Sequence, residues 1–167
     1  MARSSAILLR TSLAELERAC THLSFSRDRV SGLGGDLREW TEEELERAEA
    51  FTSRFGRVVD LLTNKVLRAL FLYELEPVGT ALDRVNLAEK RGFVDRADRL
   101  KELKEQRNVI AHDYAGSELA RVLAFGREHA EELHAICRRV AVYAERRLAA
   151  EEGDKEPVIQ PKRQEPQ

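Results

Sequence analysis

Two cysteines are all that the 167 residues contain, Cys20 and Cys137, far apart and each within an apolar helical pattern. They read as buried structural thiols rather than as a disulfide framework. There is no C-x-x-C pair and no Cys/His cluster, and His129 and His134 stand five apart rather than at the i,i+4 spacing of a helical zinc pair. No metal site and no cofactor is therefore expected. Long hydrophobic runs are missing as well. The run closed by Arg10 begins only at Ser5, too short for the core of a secretion signal, and nothing approaches a membrane span. The cytoplasm is the expected location. The chain also lacks an excess of one charge: a net −2 exerts no global pull on nucleic acid, so any RNA site must be a local patch. No strand alternation of consequence and no internal repeat is present. Three of the four prolines fall after Glu151, leaving the body of the chain almost free of helix breakers.

What is present suits helices. An apolar content of 43% with 35% charged and 6% aromatic residues reads as one soluble, helix-rich globular domain with a sizeable core. Ile7, Leu8, Leu13, Leu16, Ala19, Cys20, Leu23 and Val30 recur near helical period and predict a first helix over 5–30. Three glycines in Ser31–Gly35 break it, and Leu37 and Trp40 should pack back on the core from a short turn. Thr41 and Glu44 form a capping box for a helix running to about Glu76, where Pro77 stops it. Its stripe includes Leu45, Ala48, Phe51, Phe55, Val58, Leu62, Val66, Leu70 and Tyr73. Gly56 within it marks either a close helix approach or a bend. Thr80 caps a short helix to about Arg91 with Leu82, Val85 and Leu87 inward, and Gly92 ends it. A fourth helix opens at Val94 or Asp95 with Leu100, Leu103 and Ile110 buried. Ser117 caps a last helix to about Ala150. The expected fold is an all-α bundle of four to five helices over 1–150, followed by a disordered polar tail over 151–167.

Two stretches stand out by charge. Thr41–Ala50 holds five Glu and one Arg, whereas Arg84–Arg107 holds eight Lys or Arg against five acids. Either could be no more than a solvated helix face. The basic stretch runs into Arg107-Asn108-Val109-Ile110-Ala111-His112-Asp113-Tyr114, which gathers a guanidinium, an amide, an imidazole, a carboxylate and a phenol within eight residues. Gly116 and Ser117 end that helix soon after, so His112 falls at or near a helix C-terminus, where the negative end of the dipole favours the imidazolium. Such a group can take and return a proton. The plainer reading of a lone His at a helix end is a cap or a surface group. Arg107 and His112, five apart, point roughly 140° from one another on an ideal helix. They meet only if the helix ends or bends between them, or if a second copy of the chain completes the site.

Arg107-Asn108-x-x-x-His112-x-Tyr114 resembles the R-x4-H-x-Y signature of the HepT branch of the HEPN family, helical proteins that include many RNA-cleaving toxins. Leu82–Tyr114 and Phe55–Leu70 are similar in style to prokaryotic members of this type. The resemblance implies a HEPN-type bundle, a two-fold dimer with facing motifs, and metal-independent endoribonuclease activity on RNA, tRNA among the candidates. Attack of a ribose 2′-OH on the adjacent phosphate would leave a 2′,3′-cyclic phosphate and a 5′-OH. By the same resemblance His112 moves protons, Arg107 holds the phosphate, and Asn108 orients the pair or the RNA backbone. Tyr114 is then the acceptor of a nucleotide transferred by a partner nucleotidyltransferase antitoxin of the MNT type (AMPylation is one form), its other reading being packing against the last helix. The resemblance also admits larger hetero-oligomers with that partner. Asp113 takes no catalytic role.

A different class of function fits the same chain: a non-catalytic binding subunit of a small nucleotidyltransferase. A third is a helical dimerisation protein in which Arg107 and Asn108 merely cap carbonyls. Cleavage of RNA by the chain alone separates the first reading from the others.

Overall fold

A computed structural model describes residues 2–112 and 118–153 of the chain. The described residues are helical with no strand, in an all-α bundle: α1 (Ala2–Val30), α2 (Glu42–Asp60), α3 (Leu67–Tyr73), α4 (Ala81–Lys90), α5 (Ala97–His112) and α6 (Leu119–Gly153). A π-helical segment, Leu61–Val66, joins α2 to α3, so the single helix expected over 41–76 is one helical path with a wide turn in its middle. The remainder of the polar stretch, 154–167, lies outside the described residues, as do Asp113, Tyr114, Gly116 and the expected cap Ser117.

Local chemistry sets the ends of these elements. The capping box at Thr41 and Glu44 is present, with the Glu44 side chain accepting from the Thr41 N–H at 2.8 Å and the Thr41 hydroxyl accepting from the Glu44 N–H at 3.3 Å. Thr80 and Asp83 make a second one at the start of α4. These bonds hold the carboxyls of Glu44 and Asp83 below the ordinary carboxylate range, the Thr41 amide leading at Glu44 and the Thr80 hydroxyl at Asp83. Helix α5 begins at Ala97, later than the sequence suggested, because the Glu89 carboxylate accepts from the Ala97 N–H at 2.7 Å and caps it from α4.

Packing follows a seam on α1. Leu9, Ser12, Leu16, Ala19, Leu23, Ser26 and Val30 are buried at alternating spacings of three and four, the repeat of helices that pack nearly parallel or antiparallel. Ile7 and Leu8, expected inward, are 58% and 41% exposed, since both fall off that seam. Leu82 of α4 is likewise 53% exposed while Val85 and Ala88 are buried. The buried face of that helix centres on Ala81, Val85 and Ala88, about a quarter-turn from Leu82. The core itself is built from Leu23, Phe51, Phe55, Leu62, Phe71, Leu100, Leu103, Leu133 and Ile136.

Helix α2 is the central rod, touching α1, α5 and α6. Its approach to α6 is close: a Cβ at Gly126 would lie 2.8 Å from the Phe51 ring. A Cβ at Gly56 would meet the Ile110 side chain at 3.4 Å and the Arg107 stem at 3.6 Å, so the glycine marks a helix approach, and the residues around it stay helical. Arginines of α6 tie down two loops, Arg127 donating to the Leu33 and Ser31 carbonyls and Arg139 to that of Phe93. A buried carboxylate closes the α3–α4 connection: Glu74, its side chain 2% exposed, accepts from Tyr143 and Arg147 and pairs with Arg91. No described helix is long and apolar enough to cross a membrane.

Candidate functional site

The basic stretch does not act as one surface. Arg91 is taken by Glu74 and Glu76, Arg99 by Glu102 and by Glu132 of α6, and Arg96 and Lys101 by Asp98. Arg84 reaches down to the Thr63 and Gly79 carbonyls at 3.4 and 3.2 Å. Of the run flagged by sequence, Lys104 and Arg107 stand near one acceptor on another element. That acceptor is Asp60, the last residue of α2.

Arg107 pairs with Asp60 across the α2–α5 contact at 3.0 Å, both side chains being little more than a third exposed. A second arm of the guanidinium donates to the Asn108 side-chain oxygen at 3.3 Å. Asp60 also accepts from the Asn64 amide at 2.8 Å. The aliphatic stem of Arg107 lies over Gly56, where an added Cβ would make an ordinary contact with it at 3.6 Å. Burial, then Arg84, pushes the Lys104 ammonium below its ordinary value, with Asp60 opposing and Arg107 adding a smaller push. Asp60 directly precedes the π turn and Asn64 lies within it, and such turns are found often at functional sites. Neither was legible in the sequence, where they sit some forty residues from the motif on a stripe read only for its apolar positions.

His112 closes α5 and is exposed. The helix is continuous from Ala97 to His112, so the two motif residues keep their angular separation of about 140° and a rise of about 7.5 Å. Within one chain the arrangement gathers Arg107, Asn108, Asp60 and Asn64 and leaves His112 on the Asn108 side of the helix, turned away from Arg107. Of the alternatives the sequence posed, an end or a bend between Arg107 and His112 does not occur. Tyr114, the expected nucleotide acceptor, lies outside the described residues.

A family model described as ribonuclease HepT-like matches residues 41–140, from the α2 capping box through most of α6. The chain belongs to the HepT-like ribonuclease family. Comparison with curated proteins and with solved structures found no match. The matched span of this HepT-like chain contains all of α5 and both sides of the Arg107–Asp60 pair. It leaves out α1, which supplies one wall of two grooves.

The first groove, between α1 and α2, is lined by Glu15, Arg18, His22, Arg54, Arg57 and Asp60 and holds about 620 Å³. It shares Asp60 with the motif. The second, between α1 and α6, holds about 580 Å³ and is lined by Leu13, Leu16, Cys20, His134, Cys137 and Leu148 among others. There the two thiols that sequence kept apart are neighbours, both free. The bond from Cys137 lowers the Cys20 thiol, against burial and Glu17, while that same bond and burial push Cys137 well up. His129 is packed on the Phe125 ring and faces Glu132. Among the described residues no group of three or more His, Cys, Asp or Glu is placed to hold a metal ion.

Proposed function

We propose that the chain is a HepT-like toxin, an endoribonuclease that cuts RNA without a metal and is restrained by a nucleotidyltransferase antitoxin. One observation carries this reading. Arg107 is pre-oriented by Asp60 and Asn108 at the surface of α5, and an exposed His112 ends the same helix. A fixed, planar guanidinium suits phosphate oxygens and stabilises the added charge of a pentacoordinate transition state.

In this mechanism one His112 takes the proton of a ribose 2′-OH as its oxygen attacks phosphorus. The bond to the 5′-oxygen breaks, that oxygen receives a proton from a second imidazole, and the products are a 2′,3′-cyclic phosphate and a 5′-OH. One chain offers a single motif His, on a different face from its Arg. A two-fold dimer supplies the second His and lets an Arg and a His of different chains converge. Asn108 holds Arg107 and meets the RNA backbone. A nucleotide on Tyr114 would bring bulk and negative charge to the site and repel RNA phosphate.

The second reading, a non-catalytic subunit of a nucleotidyltransferase, draws on Arg107 being already ion-paired. Wild type and His112→Ala, purified without a partner, separate the two on total tRNA in EDTA. Wild type should cut, leaving cyclic phosphate ends, and His112→Ala should lose at least about a hundredfold in rate with its fold and dimer retained. Unchanged cleavage by the variant would remove His112 from the mechanism, and no cleavage by either would favour the binding subunit.

A further inference from the structure

Phe25 lies on α1 and is 57% exposed, an unusual place for a ring that could bury its area in the core. Two guanidiniums flank it, Arg29 at 5.6 Å and Arg54 of α2 at 5.9 Å from the ring centroid, within the range of cation–π attraction. Arg54 is anchored there by the Ser26 hydroxyl and by the His22 carbonyl. From Arg54, beside the Phe25 ring, the α1–α2 groove runs past His22, Arg18 and Arg57 to Asp60, where Arg107 stands. Along α2 the step from Arg54 to Asp60 is about 9 Å, a reach of a few nucleotides at most.

The charges in that groove do not cancel. Its two carboxylates are both occupied, Glu15 by Lys65 and Asp60 by Arg107. Arg18 and Arg57 are exposed and make no ion pair with another described residue. The groove is thus a cationic track with an aromatic ring beside Arg54 at one end and the candidate phosphate-holding arginine at the other. Single-stranded nucleic acid is bound by this combination, phosphates on cations and an unstacked base on a ring.

We infer that Phe25, with Arg29 and Arg54, stacks an unpaired base of a single-stranded or looped RNA whose phosphates follow Arg18 and Arg57 towards Arg107. The inference rests on the ribonuclease reading and adds a binding subsite to it. The surface is built largely by α1, outside the residues that the family model matches. A second copy of the chain is the other conceivable occupant. A two-fold contact there would set the patch against itself, bringing Arg18, Arg29, Arg54 and Arg57 towards the same cations of the other copy, which works against it.

The test uses full-length chain in a His112→Ala background, so that bound RNA is not cut, with short fluorescein-labelled single-stranded RNA as probe. Phe25→Ala should weaken binding about 5- to 100-fold, with the thermal midpoint and the sedimentation mass unchanged. Phe25→Trp should restore most of the affinity, and a fully base-paired hairpin probe should respond little to either change. Equal affinity of Phe25→Ala and its parent, where wild type still cuts RNA, would overturn the subsite and leave the ribonuclease reading standing. A parent that binds no RNA, with wild type that cuts none, would overturn both. Loss of dimer mass on Phe25→Ala would assign the ring to a contact between copies and overturn the subsite.

Discussion

A guanidinium that is to hold a phosphate competes for it with whatever carboxylate its own protein has placed nearby. In this chain that carboxylate is Asp60, and its partly exposed pair with Arg107 is worth about 0.2–1 kcal/mol, small enough for a phosphate to displace. Asp60 then has two opposed effects: it aims the guanidinium, and its charge repels the incoming backbone. Asp60→Asn keeps the shape and removes the charge. RNA should bind more tightly, with KM falling about two- to fivefold, while kcat falls because Arg107 is less well aimed. Steady-state cleavage of one defined RNA measures both. A lower KM with unchanged kcat would mean that Asp60 only repels, and no change in either would detach it from the site. This residue could not be found by motif, since nothing local to Asp60 distinguishes it from any acid on a helix. The motif on α5 was legible because Arg107, Asn108 and His112 lie within six residues of one another in the chain.

At the scale of elements, two helices end in the same way with different residues. The chain leaves α4 through Gly92 at φ 71°, with the Gly92 N–H bonded to the Glu89 carbonyl and the Phe93 N–H to the Ala88 carbonyl. It leaves α3 through Leu75 at φ 60°, with the Leu75 N–H on Leu72 and the Glu76 N–H on Phe71. Both are Schellman caps, and the second places a Leu where a side chain is strained. Leu75 is 90% exposed, so removing its side chain forfeits little packing. Leu75→Gly should therefore stabilise the fold by roughly 0.5–1 kcal/mol, read as a higher urea midpoint at unchanged slope. A lower midpoint would mean that the Leu75 side chain makes a contact worth more than its strain. The sequence placed this stop at Pro77, a reasonable breaker. The chain turned three residues sooner because the Glu74 carboxylate is drawn under Tyr143 and Arg147 of α6, a long-range cause with no local signature.

For the whole molecule, the continuous α5 has a consequence for assembly. With Arg107 and His112 on different faces of one straight element, the proposed chemistry needs two chains, and a cleft that uses one imidazole as base and another as acid needs both of its His112 residues. Co-refolded mixtures of wild type and His112→Ala test this. Cleavage should fall with the square of the wild-type fraction, because a mixed dimer has a broken cleft. A linear fall would show that each chain works with its own His112 alone.

Sequence by itself determined the helical class, most helix ends and the candidate chemistry of α5. Each of these is written in short-range terms: a period of 3.6, a capping box four residues long, a glycine at a turn, and an Arg, an Asn and a His along one helix. Only the tertiary structure decided which cations stay unpaired, that Asp60, held by Asn64, pairs with Arg107, that Cys20 meets Cys137, and that Arg54 of the α1–α2 groove sits against Phe25. Helix periodicity says which face is apolar, but not which rotation brings which polar residue opposite which. That register comes from how α1, α2 and α5 interlock around small residues such as Ala19 and Gly56, a property of several elements at once.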